Sequence, residues 1–183
     1  MTATDFSAAG LSITEKIEAA HALFRKWGDR LLKDISVREL IAGLDLKVIA
    51  SRKAMLDAGI LSACRRCEED EGGSCCGAGI ENKYDVALLA ANLLMGMTLA
   101  AERCFQAGCF FLGPEGCTLS ARHTLCVNFL CQPIQKALAL DDLVRVQNTI
   151  GDEMDTTFLL IEAIKKYIRD RSDTTGATSS TSR

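Results

Sequence analysis

Cys64, Cys67, Cys75 and Cys76 form one block of thiols, and Cys109, Cys117, Cys126 and Cys131 form a second. Whatever fold this chain adopts must accommodate both blocks. Thiols grouped in this way are paired as disulfides, buried as small hydrophobes, or turned towards metal. A disulfide framework fits worst. The total of nine cysteines is odd, and the N-terminal "MTATDFSAAGLSITEKIEAAH" lacks the basic and then apolar stretch of an export signal. A chain of 183 residues also buries a core without needing bridges. Burial alone suits Cys104, at the end of an apolar segment. It does not explain the adjacent Cys75 and Cys76 among glycines 72, 73, 77 and 79. A thioredoxin-like redox pair at Cys64 and Cys67 would need a βαβ pattern that the flanking residues lack.

Metal ligation accounts for the grouping and the number together. The C-x-x-C of Cys64 and Cys67 is read as a chelating turn. Only two histidines occur. His21 is far in sequence from both blocks, and His123 reads as a hydrogen-bonding residue. Coordination is therefore expected to be wholly or mostly through sulfur. That suits Zn²⁺ or an iron–sulfur cluster, with the cluster favoured, and argues against Mg²⁺ and Ca²⁺. Eight thiols suit two centres of four, or one centre with thiols to spare. Neighbouring side chains on extended backbone point to opposite faces, so Cys75 and Cys76 more easily serve different centres, unless only one of them ligates. The nearby glycines let backbone N–H groups approach sulfur. Four thiolates on one centre leave surplus negative charge, for which Arg65, Arg66 and Arg122 are the candidate counter-ions. Glu68, Glu69, Asp70 and Glu71 read as a solvated loop.

The rest of the chain is patterned as helix. Aromatic residues make up 5% of it, against 48% hydrophobic overall, and there are two prolines, so aliphatic helix packing is expected. "SITE" at Ser12 has the form of a capping box. Ile13, Ile17, Ala20, Phe24, Trp27 and Leu31 follow at helical spacing. A second box, "SVRE", at Ser36 precedes Val37, Ile41, Leu44, Val48 and Met55, with Gly59 as a stop. A third helix is expected from Tyr84 to about Arg103, roughly 30 Å long at 1.5 Å per residue. Within it "VALLAANLLMGMTLAA" is shorter than the roughly 20 residues that span a bilayer, so it reads as core. Pro133 suits a first helical turn. A last helix is expected from about Asp141 to Asp170, with Leu143, Val146, Ile150, Met154, Thr157, Ile161, Ile164 and Ile168 on one face. No strand alternation of useful length is present.

The expected fold is therefore all-α, a bundle of about four main helices carrying two cysteine-rich loops. Residues 1–11 are read as a flexible end, 12–172 as a single domain with the cysteine region at 64–131, and 173–183 as a disordered tail. A net charge of −3 does not favour nucleic acid. The expected location is cytoplasmic, without membrane association, and the partner is an unidentified protein or redox partner.

The cysteine pattern resembles the YkgJ-type bacterial cysteine-cluster family, a zinc- or iron-chelating domain family. Its pattern is C-x-x-C-x-x-x-C-C, then C-x-F-L, a further Cys, and R-P-x-x-C-x-x-x-x-C. Cys64, Cys67, Cys75 and Cys76 match the first part. "CFFL" at Cys109, then Cys117, Arg122, Cys126 and Cys131, match the second. Two departures stand out: a longer gap between Cys67 and Cys75, and His123 where the family has Pro. The resemblance implies all eight cysteines as metal ligands and selects Arg122 as the non-cysteine residue beside the cluster. Flagellin lysine N-methylases carry a similar cluster, but this chain has no glycine-rich nucleotide loop, so no catalytic residue is carried over and no enzymatic role follows. Electron transfer, cluster sensing or metal handling is the expected role. The alternatives are a zinc-stapled interaction module and an Fe–S accessory subunit of an enzyme.

Overall fold

The computed structural model of the chain describes residues 6, 10–71 and 75–177. Helix α1, Ile13–Leu31, begins as its sequence predicts. The Glu15 amide donates to the Ser12 hydroxyl at 3.3 Å, and the Ser12 amide donates to the Glu15 carboxylate at 2.7 Å. Ile13, Ile17, Ala20, Trp27 and Leu31 are buried, and each large aliphatic among them contributes about 1.5–3 kcal/mol of transfer free energy. Phe6, in the segment expected to be a flexible end, is buried in the same core. Residues 1–5 and 7–9 of that segment lie outside the described residues.

Helix α2, Ile35–Asp57, is capped two residues earlier than expected. Ser36 lies inside the helix, and the Asp34 carboxylate accepts from the Val37 amide at 3.1 Å. Asp caps as well as Ser does, and the earlier start brings Ile35 into the helix. Gly59, at φ +72°, takes up the left-handed conformation that ends the helix.

Two expectations about the cysteine region need correcting. First, the chain re-enters a helix directly after Gly59. Helix α3, Ile60–Glu71, carries Cys64 and Cys67, so the C-x-x-C lies on a helix and not in a turn or loop. Its sequence contains no Gly or Pro to stop it, and Ile60 and Ala63 anchor one side of it in a core. Second, helix α4 spans only Val86–Leu94, about 14 Å at 1.5 Å per residue, half the expected length. Asp85 caps it by accepting from the Leu88 amide at 2.8 Å, and Gly96 at φ +79° stops it. Every residue of α4 is buried. Leu99, beyond its end, is buried too, so apolar sequence continues where helix does not. As a result Cys104 is an exposed residue of irregular chain and not a packed helix end.

A short hairpin follows, β1 Leu112–Gly113 against β2 Gly116–Cys117, with Leu112 opposite Cys117. Helices α5, Thr124–Asn128, and α6, Gln132–Ala137, come next, with Pro133 in the first turn of α6. Helix α7, Leu140–Ala177, runs past the expected end, so residues 173–177 are helical and not tail. Residues 178–183 lie outside the described residues.

The all-α class holds. Helix α2 packs along α7, α1 packs on α4, and α4 and α5 both touch α7. Two apolar cores result. One joins α1, α2 through Val37, Leu44 and Val48, α4, the hairpin region and the C-terminal half of α7. The other joins the end of α2, the start of α3, α5, α6 and the N-terminal half of α7. Among the described residues no helix is long and apolar enough to cross a membrane.

Candidate metal centre

The shortened α4 brings the cysteine blocks together. Directly after Cys76 the backbone pairs with the segment directly before Cys109. Gly77 bridges Gly108, the Ala78 amide donates to the Ala107 carbonyl at 2.9 Å, and the Cys109 amide donates to the Cys76 carbonyl. Arg103 fixes this junction, donating to the Gly108 carbonyl and pairing with the buried Glu81 carboxylate. Glu81 also accepts from the Gly79 amide at 2.8 Å, at a glycine held at φ +102°.

Around that junction four thiols gather. Cys109 is buried in the first core, and Cys76, Cys117 and Cys126 pack against the same core. Cys117 comes from β2 and Cys126 from α5. The thiol of Cys76 is pushed up to about 11, first by burial and then by Cys117, Cys126, Cys109 and Cys75 around it. Burial likewise pushes Cys109 up to about 11, opposed by a backbone hydrogen bond from Phe111 and reinforced by Glu81, Cys117 and Cys126. Cys126 is raised by burial and by Cys117. The Tyr84 hydroxyl and the Arg122 guanidinium act against that rise.

The other four thiols belong elsewhere. Cys131, the residue preceding α6, packs against the second core, which Ala63 of α3 also joins. The thiol of Cys64 is raised by burial and then by Cys75, Cys131 and Cys67. Cys75 thus acts on Cys64 as well as on its neighbour Cys76, whereas Cys117, Cys126 and Cys109 act on Cys76. Among the described residues no cysteine is in a disulfide, and no group of three or more His, Cys, Asp or Glu side chains is set to hold a metal ion. The donor set nevertheless suits thiophilic metal, because the charged neighbours that act on Cys76 and on Cys64 are other thiols.

Arg122 is 12% exposed, and its charge acts on Cys126. Its nearest carboxylate is Glu153 of α7, at 3.5 Å from Nη2 and itself 1% exposed. Arg65 and Arg66 are exposed on α3. His123 is the cap of α5, where its Nδ1 accepts from the Leu125 amide at 3.2 Å. Burial lowers its pKa, with the Asp85 carboxylate acting in the opposite direction. The side chains of Glu68, Glu69, Asp70 and Glu71 lie outside the described residues.

Two further residues support the inner thiols without a signal in the cysteine pattern. The Tyr84 hydroxyl, just ahead of α4, accepts from the His123 amide at 3.1 Å and donates to Cys126 Sγ at 3.8 Å. Its pKa stands far above the ordinary tyrosine value, chiefly through burial. Asn92 on α4 is fully buried. It donates to the Leu88 and Ala121 carbonyls and accepts from the Ser120 and Ala121 amides, all at 2.9–3.0 Å. All of its hydrogen-bonding capacity is thereby used, one bond within α4 and three to hang the segment before Arg122 on that helix. The polar residue inside an otherwise apolar helix was the available hint.

No family model, no curated protein and no solved structure matches this chain. The fold defines a class only: a mostly helical, all-α protein.

Proposed function

We propose that this chain is a cysteine-ligated metalloprotein with two four-thiolate centres. The inner centre takes Cys76, Cys109, Cys117 and Cys126, and the outer one takes Cys64, Cys67, Cys75 and Cys131. The division of the adjacent pair Cys75–Cys76 between two gatherings carries this reading, since one ion cannot easily take both side chains. The resemblance of the eight-cysteine pattern to the zinc- or iron-chelating family supports it. Iron–sulfur is the favoured occupant, because the backbone hydrogen bond at Cys109 and the Tyr84 hydroxyl at Cys126 are the sulfur contacts that tune a cluster potential. Electron transfer, sensing or metal handling would follow.

The zinc-stapled module is a second reading with its own observation. The inner thiols come from four separate places between the end of α3 and α5, so metal there would tie together elements too short to fold alone.

Anaerobic purification with metal and sulfide analysis tests both. The expected result is a brown protein absorbing near 400 nm with two clusters per chain. A colourless chain holding two zinc ions favours the staple. A helical, fully reduced chain that keeps neither metal after reconstitution overturns both.

A further inference from the structure

Helix α2 has an outer face as regular as its inner one. Val37, Leu44, Val48, Ser51, Ala54 and Met55 are buried. On the opposite side Ile35, Ala42, Leu46, Ile49 and Leu56 are exposed, with Glu39 and Lys53 completing the row. The spacing from Ile35 to Leu56 alternates four and three without a break, which is the seam of a two-helix coiled coil. Ile35 is 70% exposed and Leu46 69%, with Ile49 and Leu56 close behind. A contiguous apolar row of this kind marks an interaction surface.

The residues outside those described are 1–5, 7–9, 72–74 and 178–183, and Met1 is their only large apolar side chain. Charge complementarity within the row fits a second copy and sets its direction. The row carries one acid, Glu39, towards one end and one base, Lys53, towards the other. A second copy laid parallel would set Glu39 against Glu39 and Lys53 against Lys53. Laid antiparallel, with Leu46 facing Ile49 of the second copy, Glu39 falls within one turn of Lys53 of that copy, twice by symmetry. In the same register Leu56 of the second copy comes over the groove at Ile35, Ile41 and Ala42, whose lining also includes Arg38, Glu39 and Asp45. Lys53 already pairs with Asp57 at 2.9 Å, but both are exposed, and such a pair is weak enough to be shared. Helix α2 is held helical by α7, so association would not have to order it.

We propose that this chain forms a homodimer through antiparallel pairing of α2 with α2 of a second copy. The proposal is independent of the metal reading.

Sedimentation equilibrium of the full chain, as purified and under reducing conditions, tests it. The parent should be a dimer. Leu46→Glu should raise the dissociation constant by at least about 100-fold, because it buries a carboxylate with no partner. Glu39→Lys and Lys53→Glu should each weaken the dimer, and the double variant should restore it. Positions 39 and 53 are exposed in the single chain, so the charge set remains decisive even if Leu46→Glu loses helix content by circular dichroism. A parent that stays monomeric up to about 100 µM overturns the proposal. So does a dimer untouched by these changes, and so does a double variant no better than the single ones.

Discussion

The Glu153 carboxylate, 1% exposed on α7, accepts from the Ser51 hydroxyl on one oxygen and faces Arg122 Nη2 at 3.5 Å with the other. Arg52 stands nearby. Its guanidinium donates to the Leu119 carbonyl at 2.8 Å, and its pKa is lowered by burial first and by Arg122 next. Arg122 therefore has two claims on it, a buried carboxylate on one side and Cys126 on the other. The two roles separate in a double variant. Arg122→Ala alone leaves Glu153 buried without a cation, a loss of about 3–5 kcal/mol, and should weaken metal retention about 10–100-fold. Arg122→Ala with Glu153→Gln should recover most of the stability in urea denaturation, yet not the retention measured by chelator competition. Parental retention in the double variant would mean that Arg122 serves Glu153 alone. Arg122 was legible in the sequence because it lies between cysteines of a recognisable pattern. Glu153 was not, because spacing puts position 153 on the inward face with Ile150 and Thr157 but does not reveal the partners that let an acid be buried there.

Among the elements, those with two distinct faces were legible. Helices α1 and α7 alternate buried and exposed residues, so both their existence and their inward faces follow from spacing. Helix α4 has no exposed side, and without an outer face periodicity carries no information about where the helix ends. Helix α3 is hidden for a different reason: thiols and charges dominate what is otherwise an ordinary helix-forming stretch. Placing Cys64 and Cys67 on a helix sets them three residues apart on one face, so Cys75 and Cys131 must come to them. Single substitutions test this division. Cys75→Ser should remove metal from the outer centre and leave the inner one, and Cys76→Ser should do the reverse, each halving bound metal with a distinct spectrum or chelator phase. Cys104→Ser, at an exposed thiol outside both gatherings, should leave metal content unchanged. If Cys75→Ser and Cys76→Ser each strip the chain of all metal, the thiols act as one centre and the division is wrong.

Across the whole molecule the thiols couple protons to stability, and under the proposed reading they couple both to metal. Burial raises Cys64 and Cys126, and pushes Cys76 and Cys109 up to about 11 from 9.0. All four are protonated in the metal-free protein at neutral pH, and ligation must displace those protons. The metal-free fold favours the thiol form. Because each folded-state value lies above the unfolded one, the stability these groups contribute is complete below about pH 9 and is lost as pH rises towards 11. Metal reverses the sign. A loaded centre holds thiolates already, so its stability has no such loss over that window, and it weakens instead on acidification, when protons compete for sulfur. Thermal unfolding of metal-free and loaded protein, anaerobic and reduced, should therefore diverge with pH. The metal-free midpoint should fall between pH 9 and 11 while the loaded one holds, and the gap between them should narrow as the pH is taken down to 5. A metal-free midpoint that does not move between pH 9 and 11 would show that Cys76 and Cys109 are not buried as thiols in the fold. The inner centre would then have to be assembled by the metal and not prepared by the chain.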